Sequence, residues 1–193
     1  LVALYTCPWP GQGFYFKKAV NSSADTQGIK FRSYNSATAT FAEELGMVPV
    51  QVEAAELSQA LATGVAESFI SSGSTGYDRK VWESLTHYYK VNAWLPRNYV
   101  IVNKGIWDGL GADTKANVQK AADETGAACS AKSAELANWY FEQLSANGMS
   151  VEDASSDFLA ELEAIGTKMT ADWLSAAGSD GQAIIDNYKA MAN

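Results

Sequence analysis

The sequence is poor in several residues that common chemistries require. Its 193 residues include three arginines (Arg32, Arg79 and Arg97), one histidine (His87) and two cysteines (Cys7 and Cys129). A single histidine cannot build a multi-histidine metal site, and neither cysteine stands near it or at metal-ligand spacing. Two cysteines are also too few for a disulfide scaffold. They either form one bridge in an oxidising compartment or sit apart as small buried residues. Lysine and arginine together number 14 against 22 acidic residues, a net charge of -8. A nucleic-acid surface needs a dense basic face to displace phosphate counterions, so no nucleic-acid partner is expected. No uncharged apolar run reaches the length of a bilayer-spanning helix, so no direct membrane insertion is expected. The chain also lacks a G-x-S-x-G elbow, a P-loop and an H-E-x-x-H pair, and "GQGFYF" lacks the third glycine of a dinucleotide fingerprint. No catalytic residue, metal site or cofactor is assigned.

What is present reads as a globular α/β chain, with 47% apolar and 19% charged residues. The opening "LVALYTCPWPGQGFY" has no basic leader region and breaks at Pro8 and Pro10. It reads as a buried strand entering a turn, as though the chain begins within a fold. "FYFKK", "IKFRSYN", "VPVQV", "VAESFI" and "YVIVN" read as strands. "EAAELSQALATG", the stretch from Ser36 to Gly46, and "RKVWESLTHYY" read as helices, the last placing His87 on a helix. From Asp113 to Ala146 a long helix is expected, then helices over 151–164, 171–176 and 182–192. Strands alternating with helices, followed by helices alone, point to a mainly parallel sheet with a helical C-terminal wrap.

Arg32 closes the strand "IKFR". In an open α/β sheet, ligands collect beyond the carboxyl ends of strands, where a guanidinium offers a rigid fork for a carboxylate. An internal salt bridge is the competing reading. The loop "FISSGSTGY" also follows a strand and carries Ser71, Ser72 and Ser74, whose hydroxyls can reach a ligand. Aromatic residues gather at the same stations, among them Tyr15, Tyr34, Phe69, Tyr77 and Trp94; flat rings beside a fixed cation suit an organic acid. The carboxylate pairs Glu43–Glu44 and Asp123–Glu124 read as solvated helix faces.

The segments "SADTQGIKFRSYNS", "LGMVPVQVEAAELSQALATGVAESFIS" and "NYVIVNKGIWDGL" resemble the solute-binding proteins of tripartite ATP-independent periplasmic (TRAP) transporters, the DctP-like family. The family's G-[LIM]-K-x-R strand is matched by Gly28 to Arg32, with Asn35 three residues on. Its LG-x-x-P-V turn is matched by Leu45-Gly46 with Pro49-Val50, and its helix end by Ala60 to Gly64. The resemblance implies a type II periplasmic-binding-protein clamshell that performs no chemistry and delivers an organic acid to a membrane permease. It implies that Arg32 binds the ligand carboxylate, that Asn35 neighbours the pocket, and that a polar contact falls near Ser71, with Ser72 and Ser74 beside it. Three departures stand out: Tyr15 where many relatives carry a second basic residue, Glu67-Ser68 in place of an acidic-Gly pair, and Ser71 in place of asparagine. With one guanidinium and aromatic walls they favour a monocarboxylate, for example an aromatic or 2-oxo acid, over a sugar acid or dicarboxylate.

The same resemblance implies a domain plan. Residues 1–12 would end the first domain and form a hinge strand, and 13–96 would form the second. Residues 97–137 would return to the first domain and begin a connecting helix, and 138–193 would pack mainly on the second. Most of a first domain would precede such a chain, so a fragment is expected. Two rivals remain open: a ligand-sensing clamshell of a signalling protein, and an enzyme on a similar fold using Cys7 or His87.

Overall fold

Five short residues, Gln12 to Phe16, organise the centre of the molecule. In the computed structural model, which describes residues Leu1 to Ala192 (Asn193, the end of the C-terminal segment, lies outside the described residues), this run is strand β2 and every residue of it is buried. The other strands are β1 (Val2–Pro8), β3 (Lys30–Ser33), β4 (Val48–Gln51), β5 (Ser68–Ser71), β6 (His87–Trp94), β7 (Arg97–Val102) and β8 (Ser150–Asp153). Six of them form one sheet in the order β4-β3-β5-β2-β6-β8. β3 runs parallel to β4 and β5, β6 runs parallel to β8, and β2 runs antiparallel to β5 and β6. Five strands therefore share one direction and β2 alone is reversed. The sheet is mainly parallel, as the alternation of elements implies.

Period-two alternation sorts side chains onto two cores. Phe14, Phe16, Phe31, Ile70 and Tyr89 face one side, against Phe41 and Ala42 of helix α1 (Ser36–Glu44) and Phe158 and Leu162 of helix α6 (Ser156–Ala192). Tyr15, Phe69 and Tyr88 face the other. There they meet Leu57, Ala60 and Leu61 of helix α2 (Leu57–Thr63) and Leu144 of helix α5 (Ala112–Ala146). Each fully buried Phe or Leu contributes about 1.5–3 kcal/mol over an exposed one. A strand lined on both faces by such residues belongs in the sheet interior.

β1 and β7 form a separate antiparallel ribbon. Helix α5 ties the ribbon to the sheet. Its Ala122 and Gly126 are buried, Cys129 is bridged to Cys7 with Cα atoms 5.7 Å apart, and the Ser133 hydroxyl donates to the Pro8 carbonyl at 2.7 Å. These positions recur every three or four residues and so form one stripe. Farther along, Phe141 and Leu144 join the sheet core. At a rise of 1.5 Å per residue the helix is about 52 Å long. Between ribbon and sheet, the Trp9 N–H donates to the Pro96 carbonyl at 2.9 Å.

Two expected elements differ. Residues 79–89 are not one helix: helix α3 (Gly73–Asp78) and a 3-10 turn over Val81–Glu83 precede β6, which begins at His87. The run Tyr88-Tyr89 is buried on both faces, and an apolar pair of that kind suits either period. The C-terminal region opens with β8, and α6 continues to Ala192 with a reversal at Gly178 (φ 63°, ψ -145°), between the second and third expected helices.

Candidate functional site

The carboxyl ends of β3, β4, β5 and β6 and the start of the reversed β2 converge at one end of the sheet. Arg32 pairs across the sheet with Val50 on one side and Phe69 on the other, and Phe69 pairs with Tyr15. Directly opposed residues share a face, so Tyr15, Phe69 and Arg32 form one row.

Arg32 is 5% exposed, whereas Arg79 and Arg97 are exposed. Its Nε donates to the Val52 carbonyl at 2.8 Å, and its guanidinium carbon lies 5.2 Å from the centre of the Tyr34 ring. None of the ion pairs among the described residues includes it. Burial is the largest influence on its pKa and pulls it down, against weaker support from Tyr34 and Glu53. A buried guanidinium is costly without a hydrogen-bonded counter-charge. This one has a carbonyl on Nε, a ring beneath it and no carboxylate in contact.

Tyr34 stands where the sequence suggests, beside Arg32. Its hydroxyl donates to Gln12 Oε1 at 2.9 Å; burial raises its pKa, and the nearby Arg32 cation pulls it back down. Asn35 is engaged locally. Its Oδ1 accepts from the Thr38 N–H at 2.8 Å, closing a capping box that starts α1.

The remaining candidates are arranged differently from the expectation. Tyr15 and Phe69 were expected to wall the ligand, but both are fully buried. Their rings stack at 4.3 Å, and the Tyr15 hydroxyl donates to the Ser72 carbonyl at 2.8 Å. They support the floor behind Arg32, because burial in the sheet core leaves no ring face free. The Tyr77 ring packs against Trp82, Trp139 and Tyr140, between α3 and α5. The Trp94 ring packs edge-on to Phe41 and, with Leu162, Met169 and Trp173, lines an apolar cavity of about 770 Å³ that Arg32 does not line. The serine loop is internally bonded: Ser71 Oγ donates to Thr75 Oγ1, and the Ser72 and Ser74 hydroxyls share a hydrogen bond of 2.8 Å. Ser74 also lines a cavity of about 260 Å³ with Asp78, Tyr140 and the Cys7–Cys129 bridge.

One buried polar neighbour of this cluster has no counterpart among the residues expected from the sequence. Gln12 is 8% exposed at the head of β2 and adjoins Arg32 through Tyr34. Its signal was a lone amide between two glycines, directly before the apolar run "FYF". Among the described residues no cluster of His, Cys, Asp or Glu is placed to hold a metal ion. The arrangement is suited to holding an anion.

A family model described as bacterial extracellular solute-binding protein, family 7 (DctP), matches residues 12–176. A marine-metagenome TRAP solute-binding protein from an unidentified microbe, specific for pyroglutamate and solved with co-purified pyroglutamate, superposes with a TM-score of 0.94. It is 81% identical, over 97% of this chain and 62% of its own. DctP6 of Bordetella pertussis, an extracytoplasmic solute receptor binding pyroglutamic acid, superposes with a TM-score of 0.94 at 41% identity and the same coverage. The C4-dicarboxylate-binding periplasmic protein DctP of Rhodobacter capsulatus is 34% identical over 102 residues, 52% of this chain and 31% of the relative. The chain thus spans less than two thirds of the length of these relatives. The fold is that of the TRAP solute-binding proteins, as the resemblance in the sequence implied.

Proposed function

The chain belongs to family 7 of the bacterial extracellular solute-binding proteins, and on that premise we propose that it is the periplasmic receptor of a TRAP transporter for pyroglutamate. The observation that carries this is Arg32, a buried guanidinium at a strand end with no carboxylate partner among the described residues. Its two η nitrogens make no hydrogen bond among the described residues, where a carboxylate can take both. The pyroglutamate bound by the 81%-identical and 41%-identical proteins supports the choice of solute. It is a monocarboxylate on a five-membered lactam ring, so one cation suffices. Pyroglutamate is a monocarboxylate, as the sequence suggests, and a cyclic lactam in place of an aromatic or 2-oxo acid.

In this reading Arg32 holds the carboxylate, Tyr34 braces the guanidinium, and Asn35 and the loop carrying Ser71, Ser72 and Ser74 border the pocket. The six-stranded sheet is the second lobe of a clamshell. The ribbon and the start of α5 belong to the first, and closure between the lobes buries the solute. The protein binds and releases the acid unchanged and hands it to the permease.

The test is thermal unfolding with pyroglutamate, succinate and benzoate, in the wild type and in Arg32→Ala and Arg32→Lys. A ligand at a hundred times its Kd adds roughly 2.7 kcal/mol, about 5–10 °C for a chain of this size. The shift is expected with pyroglutamate alone, absent in Arg32→Ala and reduced in Arg32→Lys, which cannot offer a bidentate fork. A full shift in Arg32→Ala would remove Arg32 from the site.

A further inference from the structure

Gln12 has a defined orientation, and Tyr34 sets it. We propose that Gln12 reads the ring carbonyl of the solute and that Tyr34 is its positioning residue. The inference rests on the pyroglutamate reading above.

The two ends of a glutamine amide have nearly the same shape and opposite chemistry, one accepting and one donating. What decides between them is the neighbour. Here the neighbour is the Tyr34 hydroxyl, 2.9 Å from Gln12 Oε1. A phenol beside a guanidinium is the better donor of such a pair, and the Arg32 cation lies 5.2 Å from the ring centre. The Tyr34 backbone N–H donates to Thr38 Oγ1 at 3.2 Å, which anchors the main chain that carries the ring. With Oε1 occupied, the donor end of the amide is left over. Gln12 Nε2 makes no hydrogen bond among the described residues, and it is not among their sealed, unpartnered polar atoms, which are Ser68 Oγ and the Tyr88 hydroxyl. It is therefore a free N–H donor that solvent or a ligand can reach, joined through Tyr34 to the cation that takes the carboxylate.

A solute whose carboxylate sits on Arg32 meets this neutral donor with another part of its body. A second carboxylate would call for a second cation to repay its desolvation. A carbonyl oxygen needs only a neutral N–H. Pyroglutamate has such an oxygen on its lactam ring. Cyclopentanecarboxylate has the same ring size and carboxylate but no carbonyl, and tetrahydrofuran-2-carboxylate carries only an ether oxygen.

Isothermal titration of the full chain with these three acids tests the inference. The variants are Gln12→Met, of similar shape but without a donor, Tyr34→Phe, which keeps the ring under Arg32, and the double variant. Gln12→Met is expected to weaken pyroglutamate about tenfold or more while leaving cyclopentanecarboxylate within about twofold. Tyr34→Phe is expected to lower the preference for pyroglutamate in the same direction by a smaller factor. The double variant should match Gln12→Met, because Tyr34 acts through it. Equal losses for all three acids, or additive losses in the double variant, would overturn the inference and leave the pyroglutamate reading standing. Both Gln12→Met and Tyr34→Phe binding like wild type would do the same. A wild type that does not bind pyroglutamate would overturn both.

Discussion

Tyr88 shows what a single atom in the core can cost. Its ring is 1% exposed, and its hydroxyl lies near the Gly13 backbone without a well-formed hydrogen bond. A buried hydroxyl without a partner is destabilising, so Tyr88→Phe should raise stability at pH 7 by about 1 kcal/mol. That corresponds to roughly 2–4 °C in Tm; a fall would mean the hydroxyl has a partner in solution. The same residue carries a pH prediction. Burial pushes the pKa of Tyr15 and of Tyr88 above the ordinary 10.0. Between pH 10 and the raised native values the unfolded chain has lost protons that the native chain keeps, so stability falls with rising pH. Urea unfolding from pH 8 to 11.5 should show a plateau and then a decline above about pH 10. In Tyr88→Phe the decline should be shallower. Arg32 was legible at this scale, since a rare charged residue at a strand end is visible in the sequence. Gln12 was not, because its importance comes from a hydroxyl 22 positions away.

Among the elements, β2 is the one that carries Gln12 to Tyr34. Gly13 lies between Gln12 and the aromatic run, and a Cβ there would run into the Tyr89 carbonyl and the Tyr88 ring. A backbone obstacle cannot rotate away, so β2 or β6 would have to move. Gly13→Ala is expected to lower stability by about 1–3 kcal/mol, as overpacking does, and, on the function proposed above, to weaken pyroglutamate by displacing Gln12. Denaturant unfolding alongside titration separates the two effects; unchanged stability would show that the strands can part. Most strands were legible from alternation, and α5 from its unbroken length. Residues 79–89 were misread because Tyr88-Tyr89 fills both cores and so shows neither period clearly. β8 was missed because "SVED" becomes a strand only through parallel pairing with β6.

Across the whole molecule, the Cys7–Cys129 bridge joins the ribbon to α5 over a separation of 122 residues. On the chain-entropy account, a loop of that length constrains the unfolded state by about 4–5 kcal/mol. Reduction, or Cys129→Ser, should therefore lower Tm by roughly 10 °C or more, read by calorimetry with and without a phosphine reductant. An unchanged Tm would indicate that the bridge is not formed in the folded protein. The sequence alone left the two cysteines open between a bridge and two separate thiols, since pairing depends on α5 passing beside β1.

The sequence by itself determined the class of fold and singled out Arg32, the residue on which we propose that binding turns. Period-two and helical patterns, together with the motifs around Arg32, are local features, and local features survive in one dimension. Only the tertiary structure decided which aromatics are free. Tyr15 and Phe69 look like walls in the sequence, yet strand pairing stacks them behind Arg32, and Trp94 is drawn to Phe41. It also brought Gln12 to Tyr34 and Cys7 to Cys129. Each of these outcomes depends on elements far apart in the chain meeting at a few ångströms, and such meetings are set by how the two cores close around the sheet.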